Sequence, residues 1–160
     1  MKIFISPIFL KSAKAFYLWL MALCIGGIFS SGAFSANVIF NAQDFNVHLE
    51  HFSAGILMSA IFTKLNILLV FLAFVIVFYE ILYARLSKAK RLQKILLVGS
   101  GVISVIGIFL FALYFSPNII ALQNLTPSER FDTLHTQSEW IFHIIFFSLS
   151  FNFIVRILYD

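Results

Sequence analysis

Charged residues in this chain stand almost entirely at the joints between long apolar stretches, and their sign alternates from joint to joint. Lys2, Lys11 and Lys14 precede the first stretch, Arg85, Lys88, Lys90, Arg91 and Lys94 separate the second from the third, and Arg156 closes the fourth. These patches hold nine of the eleven Lys and Arg residues. The other two connections, roughly residues 37–51 and 117–139, carry Arg130 alone against Asp44, Glu50, Glu129, Asp132 and Glu139. Cytoplasmic loops of membrane proteins keep an excess of Lys and Arg. The pattern therefore predicts both termini and the basic loop inside, with the two acidic connections outside.

Composition leaves little room for a water-soluble alternative. A soluble domain carries about 25% charged residues and is about half apolar, whereas this chain of 160 residues is 11% charged and 61% hydrophobic, with twenty-one Phe. A domain this small has too little interior to hide that surface. Lipid solves the problem by acting as solvent for the outside, and backbone groups in hydrocarbon must then be satisfied within each segment, which dictates helices. The expectation is an all-α, polytopic membrane protein: one domain over residues 1–160, folded as a four-helix transmembrane bundle. Its spans are expected at about 15–40, 55–84, 95–115 and 139–159. The outer connections fall at about 41–54 and 116–138, and the inner basic loop at 85–94. A bacterial cytoplasmic (inner) membrane suits this topology. The net charge of +4 belongs mostly to the basic loop, where anionic lipid headgroups account for it, so nucleic acid is not needed as a partner. The single cysteine, Cys24, rules out an intrachain disulfide. Ala33-Phe34-Ser35 has the form of a signal-peptide cleavage site, but the apolar run from Ala15 to Phe34, about 20 residues, is longer than a typical signal core and long enough to span. A retained first helix is expected.

Two segments exceed a simple span. A helix from His51 to Ala84 would be about 51 Å long, against a hydrocarbon core of about 30 Å, so it must project, tilt strongly or break near Gly55. Thr126-Pro127-Ser128-Glu129 is a capping box with proline at the first helical position, and it predicts a fourth helix that starts well above the membrane. Ser116-Pro117-Asn118 is expected to stop the third helix, because proline cannot continue it and restricts the residue before it.

On the fourth helix, steps of roughly 100° put Ser128, Asp132, His135, Glu139 and His143 in one stripe about 80° wide. Imidazoles and carboxylates are donors that transition metals accept, although a helix rising into water carries such residues for solvation alone. The second helix aligns His48, His51, Gly55, Ser59, Asn66 and Glu80, and here a close helix–helix interface competes with metal binding. Glu80 is expected to pair with the basic loop. Lys64, an ionisable residue within a span, points away from the His51/Asn66 face and is expected to snorkel to the headgroups. Trp19, Gly26, Ser30, Ala33, Asn37 and Asn41 share a face of the first helix, and Ser100 and Ser104 do so on the third. Both read as close-packing devices.

Two stretches resemble a known family: His51-Phe-Ser-Ala-Gly55 followed by Ser59-Ala-Ile-Phe62-Thr-Lys-Leu-Asn66, and Arg130-Phe131-Asp132-Thr-Leu134-His135-Thr-Gln-Ser138. They are similar to signatures of the transmembrane-protein-205-like family, catalogued as domain of unknown function 4149. The resemblance implies four membrane helices and directs attention to His51, Gly55, His135 and Ser138, without implying a reaction. Phe142 and Thr63 depart from the family pattern. Three readings follow. The first is a non-enzymatic membrane protein whose outer polar cluster is structural or binds a partner or ligand. The second is a protein handling a transition metal, copper-like, or haem through His51 and His135, with Glu139, His48 and His143 as further donors. The third is a small transporter or channel subunit, which would have to form homo-oligomers. No nucleotide loop, nucleophile elbow or hydrolase triad is present in the sequence, so an enzyme is not expected.

Overall fold

A computed structural model of the chain describes residues 7–87, 89–123 and 129–159. Four helices fill them: α1 (Ile8–Phe40), α2 (His51–Leu86), α3 (Arg91–Gln123) and α4 (Glu129–Tyr159), each long and apolar enough to cross a membrane. No strand occurs among the described residues. Lys2, Lys88 and the capping-box residues Thr126, Pro127 and Ser128 lie outside the described residues. The helices run up and down in sequence. Each packs against its chain neighbours, and α1 closes the ring against α4. The start of α1, the end of α4 and the α2–α3 connection therefore share one end of the bundle, here the basic end. The α1–α2 connection, the end of α3 and the start of α4 share the other, the histidine end.

The register of α3 against α4 is set by small side chains at regular intervals. Gly107 faces Ile145, Ser104 Oγ meets Ser148 Oγ at 2.7 Å, and Asn152 Nδ2 donates to Ser100 Oγ at 2.9 Å. Each step along α3 is matched by an equal step back along α4, as antiparallel helices require. Tyr17, Met21, Leu69, Leu72, Ile76, Ile108, Ile145 and Leu149 form the core between all four helices. Phe71, Phe74, Phe78 and Trp140 remain more than half exposed on the outside. Water would penalise that rim of aromatics, whereas lipid tails solvate it.

Helix ends depart from the sequence expectations. Ser116-Pro117-Asn118 does not end α3, which runs on to Gln123. A π-helical turn over Leu110–Phe115 immediately precedes it. Such a widened turn gives the proline ring room and already breaks the usual i→i−4 pairing that proline would disrupt. α2 is continuous through Gly55, which excludes a break there. At 36 residues it is about 54 Å long, so it projects or tilts.

α1 carries a second π-helical turn, Ser30–Ser35, and its small-residue face is not where the spacing put it. Trp19, Gly26 and Ser30 point out of the bundle, and a side chain on Gly26 would meet nothing within 4 Å. The inward face is instead Tyr17, Leu20, Met21, Cys24, Ile28 and Ser31. Only Gly27 makes a close helix contact, 3.1 Å from its ideal Cβ position to Leu65. Beyond α1, a 3₁₀ turn over Ala42–Phe45 ends in Asn46 at φ 59°, a left-handed conformation that asparagine tolerates better than most residues.

Candidate ligand cavity

At the histidine end the four helices splay around a cavity of about 960 Å³. Its walls contain His51, Gly55 and Ser59 from α2, and Asp132, His135, Ser138, Glu139 and His143 from α4. Eight sequence-nominated positions thus face one space. Two do not. His48 is exposed in the connection before α2, and Asn66 is buried below the cavity with its Oδ1 meeting no hydrogen-bond partner among the described residues. Lys64 is exposed and also lies away from the cavity.

Local chemistry fixes several of these side chains. Phe131 stacks on His135 with rings 6° from parallel and 5.8 Å apart, and His135 Nε2 lies 3.4 Å from Glu139 Oε1. His143 Nδ1 is 2.7 Å from the Glu139 carbonyl, while the Phe40 ring sits 5.2 Å from that of His51. Ser138 Oγ donates back to the His135 carbonyl at 2.7 Å, which is how a buried hydroxyl on a helix is usually satisfied. Gln123, a residue that spacing did not single out, ties the α3 end to α2. Its Nε2 donates to Ser59 Oγ at 2.6 Å and to the Gly55 carbonyl at 3.1 Å. The run-on of α3 past Pro117 is what brings Gln123 there. The remaining wall is largely phenylalanine, with Phe62, Phe111 and Phe142 packed edge-on or tilted at the floor. Among the described residues, no three His, Cys, Asp or Glu side chains gather as metal ligands would.

A second polar group lies at the basic end, and it corrects two expectations. Glu80 does not pair with the basic loop. Its Oε1 accepts from Arg156 Nη2 at 2.6 Å and from the Tyr17 hydroxyl at 3.0 Å. Arg156, counted in sequence as the last of the positive patches, is wholly buried, at 0% exposure. Its guanidinium lies 4.2 Å from the Tyr83 ring centre, 4.9 Å from Tyr79 and 5.4 Å from Tyr17. Asn152 Oδ1 accepts from Arg156 Nε at 3.3 Å, and Asn152 Nδ2 donates to the Leu97 carbonyl at 2.8 Å. Gly101 leaves room for Glu80, whose Cγ would lie 3.1 Å from a Cβ placed there. Residues of all four helices therefore meet in one clamp. The Asn152/Arg156 spacing of four was the sequence signal for it, since residues four apart share a helix face. Around the clamp, Lys94 Nζ donates to the Ala84 carbonyl at 3.2 Å and Gln93 Nε2 to the Tyr159 carbonyl at 2.8 Å. Two side chains of α3 thus satisfy terminal carbonyls of α2 and α4.

A family model described as a domain of unknown function (DUF4149) matches residues 19–127. The match takes in most of α1 and all of α2 and α3, three of the four cavity walls. No curated protein and no solved structure gives a match.

Proposed function

Since the chain belongs to that family and has four helices long and apolar enough to cross a membrane, we propose that it acts without catalysis, holding an apolar or amphiphilic ligand in the cavity at its histidine end. One observation carries this reading: the polar faces of α2 and α4 converge on a single phenylalanine-walled space large enough for a small molecule. Ligand sites of this kind are typically about 300–1,000 Å³, mostly apolar, with a few placed polar groups. In this reading the apolar body packs among the phenylalanines, and its polar part meets Asp132, His135, Glu139 and His143. The alternation of charge between connections supports an orientation with the basic end in the cytosol and the cavity on the far side, in a bacterial inner membrane. The motif His51–Asn66, within the matched residues, and Arg130–Ser138, which follows them, support the finer kinship with transmembrane-protein-205-like proteins.

The other readings are less well supported. A zinc-like site needs donors converging at about 2.0–2.1 Å from one ion, and the described side chains do not gather in that way. A permeation path through one chain needs a cavity continuing past Asn66. The cavity floor is instead Met58, Phe62, Phe111 and Phe142, and below it Leu65, Leu69, Leu72 and Ile145 are closely packed and apolar.

Ala33 and Ala36 of α1 both line the cavity, so Ala33→Trp/Ala36→Trp should obstruct it from one wall. A neutral, environment-sensitive dye titrated into protein in lipid nanodiscs is expected to bind the wild type at one saturable site. The double variant, melting at a similar temperature, should bind at least tenfold more weakly. Equal binding by the two proteins would refute the cavity as a ligand site.

A further inference from the structure

Building on the reading that the cavity holds a ligand, we infer that its ligand is a lipophilic cation. Two features of the wall lead there. Its formally charged side chains are the carboxylates of Asp132 and Glu139, and among the described residues no Lys or Arg lines it. Arg130 and Lys64, the two cations outside the basic patches, are not among the residues that line it. A ligand drawn into a space with anions at its mouth and no fixed cation gains by carrying positive charge, and an anionic one would leave both carboxylates opposed.

The second feature is the apolar part of the wall. Nine phenylalanines face the cavity, and Phe62, Phe111 and Phe142 already stand edge-on or tilted to one another at its floor. Aromatic faces are negative and attract cations, most of all when water is excluded. An aromatic pocket is also the usual way to hold a quaternary cation, which has no proton to donate and so cannot be recognised by hydrogen bonds. A compact inorganic cation would find too few oxygen donors here. A bulky organic cation would match both the greasy wall and the acidic mouth. Asp132 and Glu139 lie four residues from His135 or nearer, on the same stripe of α4, so the anionic charge is concentrated on one side and would orient the bound ion.

Tetraphenylphosphonium and tetraphenylborate test this directly, because they share shape and apolar surface and differ in the sign of charge. Neutral tetraphenylsilane supplies the third arm. Binding of each to the full chain in nanodiscs is measured after subtracting the signal of the Ala33→Trp/Ala36→Trp protein, which removes partition into lipid. The expected order is phosphonium at least tenfold tighter than silane, and borate weakest. In Asp132→Asn/Glu139→Gln, whose altered side chains are exposed, phosphonium affinity should fall about tenfold while silane binding is unchanged. Equal affinity for all three probes, or a preference for borate, would overturn the cationic assignment and leave the cavity as a binding site. Unchanged phosphonium binding in the carboxamide variant would overturn it as well. Failure of every probe to bind above the obstructed protein would remove both readings.

Discussion

Replacing Arg156 by methionine is expected to destabilise the bundle by about 3–5 kcal/mol, the cost of removing one partner from a buried ion pair. Glu80 is 6% exposed and Arg156 is 0% exposed, so neither lipid nor water stands ready to take the partner's place. Arg156→Met would leave the Glu80 carboxylate buried without its cation and would open the space between the Tyr17, Tyr79 and Tyr83 rings. Unfolding in a mild detergent titrated with a denaturing one measures the loss. The double variant Glu80→Gln/Arg156→Met separates charge from packing, because replacing both members of a buried pair is often close to neutral. Most of the stability should return. A double variant as weak as the single one would show that the ion pair is not what the clamp depends on.

Gly107→Ala should rank next, at about 1–3 kcal/mol, the usual cost of forcing a methyl into a filled core. Its Cβ would sit 2.8 Å from Ile145 Cγ1, closer than carbon atoms approach. Ile145 is itself wholly buried, so it cannot swing aside. Pushing α3 and α4 apart would also stretch the Ser104–Ser148 hydrogen bond one turn away. Interhelical bonds in membranes average only about 0.6 kcal/mol, so steric overlap is the larger part of the effect. Gly107→Ala/Ile145→Ala, which removes the clashing atom, is expected to lose less stability under the same denaturing titration than the sum of Gly107→Ala and Ile145→Ala measured singly, because contacting residues are not additive. If Gly107→Ala melts with the wild type, the close α3–α4 contact is not the one described.

Hydropathy and the placement of charge were enough to reach the four-helix membrane bundle, because both reflect the large cost of burying charge in hydrocarbon. What they left open has a common physical source. In lipid the outer face of a helix is as apolar as the inner one, so periodicity carries little contrast. Tyr17 and Trp19 are both large aromatics near the start of α1, yet one is buried and the other faces outward. The π-turn at Ser30–Ser35 adds to the difficulty, since an extra residue per turn shifts the phase of every position beyond it, Asn37 and Asn41 included. Pro117 reads as a stop because the widened turn before it leaves no composition signal. Arg156 reads as a patch residue because counting charges near helix ends does not distinguish a side chain reaching headgroups from one turned inward. The stripe Asp132, His135, Glu139 and His143 was legible for the opposite reason. Polar residues on a largely apolar helix do supply contrast, and they face the cavity.

A ligand arriving from outside the cell requires a cavity open at the side of the membrane opposite the basic loop, and thiol labelling in intact cells is the test. Cys24 is fully buried, so the native thiol should stay silent. Ala36→Cys places a thiol on the cavity wall, and Ser87→Cys places one beside the basic loop. A membrane-impermeant cationic reagent added outside is expected to modify Ala36→Cys and to leave Ser87→Cys untouched until the membrane is permeabilised. Reaction at Ser87→Cys alone would turn the protein over and place the cavity in the cytosol, contradicting the account.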